Sequence, residues 1–238
     1  MSIQMMNEGA HFLASSQDIL LQNRISVSVG TDFKAYSKIL EEERPQQVIG
    51  APFDPTLHNL NEGNAFWLVA RDDTGTLMHT QAAKTLRMKG RALSQYMLQG
   101  FREFPPAIPD LDLDRSRYRA GPGAHRIRGT VVYHGEVWMG GDANRYRGTG
   151  LSTVLARYGM MVAMDRWQPD YLFGFMAKAV AYKGFAERMG YMHNEPGSLR
   201  WYRKGNDTPL EGFLSYLSNE DIRFLLEMPL QEIEALAA

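Results

Sequence analysis

The spacing of apolar and polar residues divides the chain into short strand-like and helix-like segments. A period of two, or a short apolar run between turn residues, predicts strands at 25–31, 66–70, 77–88, 131–139 and 171–176. Helical spacing predicts helices at 33–43, 91–104, 151–166 and 179–189. Asp32 is a predicted N-cap, the turn residues 72–75 predict a hairpin, and Gly190 fits the position after a helix.

A glycine-rich loop follows the strand 131–139 and opens the helix 151–166. Gly148 and Gly150 allow positive φ and close ligand approach, and the helix adds its free N-terminal amides and its dipole. This arrangement predicts a phosphate-binding loop, although an ordinary strand-to-helix connection has the same local pattern. The chain has no Gly-Lys pair for a P-loop, and Thr153 stands where a dinucleotide fingerprint needs its third glycine.

The segment 147–152 resembles the coenzyme A loop of the GNAT superfamily, the Gcn5-related N-acetyltransferases. The family motif is Arg/Gln-x-x-Gly-x-Gly/Ala, and here Ser152 takes the last position. The resemblance implies an α/β (α+β) fold with a central mixed, mostly antiparallel sheet flanked by helices. It also implies acetyl-CoA, or another acyl-CoA, as cosubstrate. The residues expected to bind it are Gly140, Gly141, Asp142, Arg147, Gly148, Thr149, Gly150, Leu151 and Ser152.

Glu136 lies eleven positions before Arg147, a spacing that resembles the general-base glutamate of histone-acetyltransferase-type members. Strand alternation places it on one face with Trp138 and Gly140, so partial burial should raise its pKa. A solvated glutamate on a strand face is the alternative. Ala186 stands where family members often have a general-acid tyrosine, and Tyr182, one helical turn earlier, is the candidate acid or else a packed tyrosine.

Two segments fall outside the family pattern. Residues 89–128 form a long insertion with a predicted helix, a proline stop, an acidic run and a basic run, which we interpret as a lid or a substrate-selecting element, or as solvated charges. We predict an acyltransferase domain over 1–205 and a C-terminal helical extension over 206–238. Ser218 and Asp221 form a capping box there, and the apolar residues that follow should pack on the domain or on a second subunit of a homodimer.

Composition narrows the remaining classes of function. The chain of 238 residues has a net charge of −1, which gives no nucleic-acid footprint, and it contains no cysteine. No long apolar run predicts a membrane span, no signal peptide is evident, and the six histidines lack metal-type spacing. We therefore expect a cytoplasmic protein with no metal, no membrane and no nucleic-acid partner.

The resemblance implies transfer of an acetyl group from acetyl-CoA to a small-molecule or peptide amine by direct attack. Two alternatives remain open at this point. One is transfer of a longer acyl chain, as in acyl-homoserine-lactone or N-acyl amino acid synthases, with methionines 160, 161, 164 and 176 lining an acyl groove or simply packing in the core. The other is a non-catalytic acyl-CoA-binding regulatory module.

Overall fold

A mixed eight-stranded sheet with helices on both faces organises the chain. The computed structural model describes residues 3–45, 48–140 and 149–228. The strands are β1 (Ser26–Gly30), β2 (Ala65–Arg71), β3 (Leu77–Leu86), β4 (Leu111–Tyr118), β5 (Val131–Met139), β6 (Tyr171–Ala177), β7 (His193–Arg203) and β8 (Asn206–Ser218). The helices are α1 (Ile3–Gln22), α2 (Phe33–Glu43), α3 (Leu93–Gly100), α4 (Pro122–Arg126), α5 (Leu151–Trp167), α6 (Lys178–Ala181), α7 (Phe185–Arg188) and α8 (Asn219–Glu227), with 3₁₀ turns at Ala51–Phe53 and Phe101–Glu103.

The strand order in the sheet is β1-β2-β3-β5-β6-β8-β7-β4. Within the described part of the chain, β5 and β6 pair in parallel and the other neighbours pair antiparallel. The predicted fold class, a mixed and mostly antiparallel sheet flanked by helices, is therefore confirmed.

Two hydrophobic cores lie on opposite faces of the sheet. On one face, α5 packs with α1 and α8 around Leu155, Met160 and Leu225. On the other face, α2, α3 and the first 3₁₀ turn enclose aromatic side chains such as Phe53 and Tyr133. The sheet separates the two cores, so a gap between its strands connects both faces.

The predicted helix caps form as local chemistry requires. The Asp32 carboxylate accepts hydrogen bonds from the backbone N–H groups of Lys34 (2.9 Å) and Ala35 (3.2 Å), which starts α2 at the predicted residue. The Ser218 hydroxyl accepts from the Asp221 N–H at 3.1 Å, while the Asp221 carboxylate accepts from the Ser218 N–H at 2.7 Å. The capping box predicted for the start of α8 is thus confirmed.

The insertion contains a strand that the sequence analysis did not predict. Within it α3 confirms part of the predicted helix, but Asp112 and Asp114 of the acidic run and the first two arginines of the basic run fall on β4, which pairs with β7 at the edge of the sheet. An irregularity between Asp112 and Arg117 bends this strand. Arg115 and Arg117 of this strand, and Arg119 just after it, line a surface cavity of about 380 Å³ together with Arg200 of β7.

The predicted boundary at residue 206 is wrong in one respect. Residues 206–218 are not helical; they form β8, which lies inside the sheet between β6 and β7. A turn at Gly205, with φ of 71°, joins β7 to β8. The helical part of the extension that the structure describes is α8, which packs against α1 and α5. Packing on a second subunit stays a prediction.

The helix predicted at 179–189 is also wrong, because it is divided into α6 and α7. Gly184 adopts a left-handed conformation with φ of 69° between the two, which ends the first helix and starts the second. Tyr182 and Ala186 therefore do not share one helix face. Gly190, with φ of 93°, ends α7 as predicted, and the Tyr191 N–H donates to the Ala186 carbonyl at 2.9 Å.

Candidate active site

The two parallel strands at the centre of the sheet separate after three residue pairs. Val131 to Tyr133 of β5 pair with Tyr171 to Phe173 of β6, and beyond this point no further pairing joins the described residues of the two strands. Opposite β3, the register shifts so that Glu136 and Val137 together face the single residue Gln81. This β-bulge moves β5 away from β6 and opens a cleft through the sheet.

The cleft has a volume of about 330 Å³ and receives side chains from both cores. Phe53, Tyr133 and Phe175 belong to the core under α2, whereas Val137 and Met176 pack on the core under α5. A ligand in the cleft can therefore be reached from both faces of the sheet. The full lining is Gly50, Pro52, Phe53, Pro105, Pro106, Ala107, Tyr133, His134, Gly135, Glu136, Val137, Gly174, Phe175, Met176, Ala177, Val180, Phe185, Met189, Tyr191 and Ser215.

Glu136 sits on the bulge and turns its carboxylate toward the α2 face of the cleft. Its backbone has φ of 54°, an uncommon conformation for a residue other than glycine. Oε1 accepts a hydrogen bond from the Gly50 N–H at 2.8 Å, while Oε2 is buried and has no hydrogen-bond partner among the described residues. A buried oxygen of this kind is rare in a folded protein, so it indicates a position where a polar ligand or water would bind.

The environment of Glu136 also favours the protonated form of its carboxyl group. Burial raises the pKa, and the Gly50 N–H and the positive charge of Arg44 offset only part of that effect. A raised pKa for Glu136 is also what its place on the strand predicts. A carboxylate with a raised pKa is a stronger base than an exposed one, which suits the removal of a proton from an amine.

A buried polar cluster formed by Thr80 and Arg44 holds the bulge in place. The Thr80 hydroxyl donates to the Glu136 carbonyl at 2.8 Å, and Arg44 Nη1 donates to Thr80 Oγ1 at 2.6 Å. The Arg44 guanidinium also lies 5.0 Å from the centre of the Trp138 ring. These contacts hold the β5 backbone at the bulge, where the described residues of β5 depart from regular pairing with β3. They therefore also hold the direction of the Glu136 carboxylate.

On the opposite wall of the cleft, Tyr191 begins a chain of buried hydrogen bonds. Gln81 Nε2 donates to the Leu155 carbonyl at 2.6 Å, so Gln81 Oε1 faces His134 Nε2 at 2.8 Å. Burial lowers the pKa of His134 to about 4, so the ring is neutral. Because Gln81 Oε1 can only accept, the single ring proton is assigned to Nε2. His134 Nδ1 then accepts from the Tyr191 hydroxyl at 2.9 Å. His134 is thus a hydrogen-bonded strand residue that orients Tyr191.

Tyr182, the candidate acid, lies on the surface. Its side chain is 71% exposed, its ring contacts the edge of Phe213, and it is not among the residues that line the cleft. The tyrosines that do line the cleft are Tyr133 and Tyr191. The sequence analysis did not single out these two, because an aromatic residue in a strand or after a helix has the same pattern in any core.

The glycine loop meets the N-terminus of α5, although part of it lies outside the described residues. Gly150 has φ of 70° and is the N-cap, and its carbonyl accepts from the N–H groups of Thr153 and Val154. The N–H groups of Leu151 and Ser152 belong to the first turn, where a helix supplies no partners of its own. Thr149 precedes this turn, whereas Gly141, Asp142, Arg147 and Gly148 are outside the described part of the chain. The assignment of this segment to phosphate binding stays a prediction.

Four glycines in or near the cleft are required by close packing. A Cβ atom would lie 2.6 Å from Glu136 Oε1 at Gly50, 2.9 Å from the Phe53 ring at Gly135, and 2.7 Å from the His134 carbonyl oxygen at Gly174. At Gly140 it would overlap the Trp138 ring. Side chains at the first three positions would fill the space next to Glu136 and Tyr191, so the cleft depends on their absence.

The insertion contributes directly to the cleft. Pro105, Pro106 and Ala107 follow the 3₁₀ turn at Phe101–Glu103 and line the cavity on the same side as Phe53. The part of the insertion that follows the 3₁₀ turn therefore forms part of the cleft wall. Further along the insertion, two aspartates and two arginines of the charged runs lie on β4, at the edge of the sheet.

Solved N-acetyltransferases are among the structures to which this chain is similar. An N-acetyltransferase from Staphylococcus aureus Mu50 shares 11% identity and a TM-score of 0.43, over 82% of this chain and 98% of the other. The aminoglycoside acetyltransferase AAC(6')-Ib, solved with coenzyme A and kanamycin, shares 10% identity and a TM-score of 0.45 over 84% and 98%. Mutant forms of the spermidine/spermine N-acetyltransferase SpeG from Vibrio cholerae share 8% identity and a TM-score of 0.46 over 84% and 96%. No protein-family model and no curated protein matches the sequence.

Within residues 3–45, 48–140 and 149–228, no three side chains of the metal-ligating kinds come together closely enough to hold an ion. In the same ranges no helix is both long and apolar enough to cross a membrane.

Proposed function

We propose that this chain is an acyl-CoA-dependent N-acyltransferase of the GNAT superfamily that transfers an acetyl group from acetyl-CoA to an amine. The observation that carries the proposal is the cleft between β5 and β6, with the desolvated carboxylate of Glu136 on its wall. The glycine-capped N-terminus of α5 is the next described element after β5 along the chain. The carboxylate supplies a base, and the helix N-terminus supplies amide groups for a pyrophosphate.

The reaction requires a single substitution at the thioester carbonyl. The amine nitrogen attacks the carbonyl carbon and forms the C–N bond, the C–S bond breaks, and the sulfur leaves as a thiolate. Glu136 accepts the proton that the amine loses, through Oε2, which has no hydrogen-bond partner in the described structure. Placing amine and thioester together in one cleft supplies much of the rate enhancement, on the order of 7 to 11 kcal/mol in favourable cases.

The leaving group does not require a dedicated acid. An alkyl thiol ionises near pH 8.5, so a thiolate is a good leaving group at neutral pH and can take its proton from water. This accounts for Ala186 at the usual tyrosine position. Tyr182, exposed on the surface, is given no part in the step. Tyr191 has its hydroxyl proton directed to His134, so its oxygen is an acceptor on the cleft wall.

An acetyl group fits the surroundings of the cleft better than a long acyl chain. Met160, Met161 and Met164 are buried in the core under α5, and Met176 is the one of the four methionines that lines the cleft. Core packing therefore accounts for three of the residues that suggested an acyl groove.

Calorimetry with acetyl-CoA tests the proposal. Gly150→Arg places a bulky side chain at the N-cap of α5, at a positive φ, and should abolish binding. The matched control is Gly75→Arg, which also replaces a glycine of positive φ (84°) but has open space around it and lies in the β2–β3 turn. No binding by the unmodified chain, or equal binding by both variants, would contradict the proposal.

A further inference from the structure

The α2 side of the cleft has a rigid apolar wall. Phe53 stacks on Tyr133 with ring centres 5.5 Å apart, and Tyr133 contacts Phe175 at 6.4 Å. Pro105 and Pro106 of the insertion complete this wall. Proline and packed aromatic rings have few accessible rotamers, so the wall is preorganised for an apolar group.

The charge in the cleft is a single carboxylate. Glu136 is the only acidic residue among the described residues that line the cavity, and no lysine or arginine is found among them. Its unpartnered Oε2 can pair with one ammonium group. A second ammonium in the same space would be desolvated without a partner, which costs several kcal/mol in a low-dielectric site.

A buried lysine behind the wall also disfavours an acceptor with a second positive charge. Lys84 Nζ donates to the Pro52 carbonyl at 2.6 Å and lies 6.0 Å from the centre of the Phe53 ring. Its charge, when present, is directed at the same side of the cleft and repels any further cation there. The wall therefore favours a neutral body on the acceptor.

The volume limits the size of the acceptor. The cleft of about 330 Å³ is at the lower end of the range found for small-molecule sites, about 300 to 1,000 Å³. The reacting end of the thioester must share that space. A multi-ring sugar amine would not be enclosed by it.

We propose that the acceptor is a small monoamine whose one ammonium group pairs with Glu136 and whose aromatic or branched aliphatic body lies on the wall formed by Phe53, Tyr133 and the insertion prolines. The inference rests on the proposed function, since the amine is the nucleophile of that reaction. It excludes polyamines as preferred acceptors.

The experiment compares 2-phenylethylamine with spermidine, both by calorimetric binding and by kcat/KM with acetyl-CoA. We expect 2-phenylethylamine to be preferred on the order of tenfold or more, the effect of one unpaired charge in the site. Ala107 lines the cleft at an exposed position, so a new carboxylate there should be tolerated. Ala107→Glu should shift the ratio toward spermidine on the order of tenfold relative to Ala107→Gln, which has the same size and no charge.

Leu98→Glu is the control for added charge, because Leu98 is 69% exposed on α3 and does not line the cleft. It should leave the preference unchanged. Equal or better binding of spermidine to the unmodified chain, or binding of neither amine, would overturn the inference, as would an Ala107→Glu ratio equal to that of Ala107→Gln. If 2-phenylethylamine binds with the expected preference but acetyl-CoA does not bind, the proposed reaction fails while the monoamine site stands.

Discussion

Replacing Glu136 by glutamine should slow the reaction and stabilise the protein at the same time. Glutamine keeps the Oε1 atom that accepts from the Gly50 N–H at 2.8 Å, so the bulge and the cleft should persist. It replaces the buried, unpartnered Oε2 by an amide NH₂ and removes the charge. The variant therefore separates the chemistry of the carboxylate from its packing.

The loss of activity follows from the role of a general base. Such a group contributes about 10² to 10⁴ in rate, so kcat/KM should fall by that factor. In the unmodified chain the base must be ionised, and burial raises its pKa, so kcat/KM should rise with pH through that raised pKa. This rise of kcat/KM with pH, the pH-dependent limb of the profile, should be missing in Glu136→Gln. A profile of unchanged shape would refute the assignment of Glu136 as base.

The gain in stability follows from the same pKa. A carboxyl group whose pKa is raised by folding holds its proton more tightly in the folded chain than in the unfolded one, so the free energy of unfolding falls as the pH rises through the unfolded value and up to the raised one. The free energy of unfolding falls by about 1.4 kcal/mol for each unit by which folding raises the pKa of Glu136. Glu136→Gln should therefore be more stable than the unmodified chain at pH 8, and the difference should disappear near pH 4.

Urea unfolding at both pH values and a pH–rate profile provide the two measurements. The matched control is Glu195→Gln, because Glu195 also accepts from a backbone N–H, that of Gly123, and also has a buried Oε2 without a partner. It lies on β7 and does not line the cleft. The control should retain the pH-dependent limb, and a less stable Glu136→Gln at pH 8 would contradict the account of its burial.

Two further predictions concern stability. Burial lowers the pKa of Lys84 to about 8, so between about pH 8 and 10.5 the unfolded chain binds more protons than the folded one, and the free energy of unfolding should rise with pH by about 3 kcal/mol in total. Urea unfolding at pH 7.5 and 10 should show this rise for the unmodified chain and not for Lys84→Met. An equal rise in both would contradict the lowered pKa of Lys84. Ser218→Ala removes the N-cap hydroxyl of α8 and should cost about 1 kcal/mol in urea unfolding, whereas Ser37→Ala, on an exposed face of α2, should cost less.

Much of the sheet could be predicted from the sequence because its signals are local. The strands 66–70 and 77–88 alternate on either side of a turn, and the capping residues Asp32 and Ser218 act within three positions of themselves. The position of Glu136 on a strand face was predicted for the same reason. Residues that are a few positions apart in the chain are also close together in the structure, so such features can be predicted from the local sequence.

The parts that were missed depend on contacts between distant segments. Gly50 lies 86 residues before Glu136, and nothing in its local pattern indicates a partner on β5. The bulge at Glu136 is visible only in the register against β3. Residues 111–118 were read as charge runs because a strand at a sheet edge shows weak apolar alternation, and its pairing with β7 joins segments about 85 residues apart.

The charged strand β4 has a consequence for solubility. It is the last strand of the sheet, so one row of its backbone N–H and C=O groups has no neighbouring strand among the described residues and could pair with another chain. Its two arginines, its two aspartates and the irregularity between Asp112 and Arg117 make such pairing costly. The two halves of the insertion thus lie at different places in the fold: the prolines line the cleft, and the charged strand hinders the addition of another strand to the sheet.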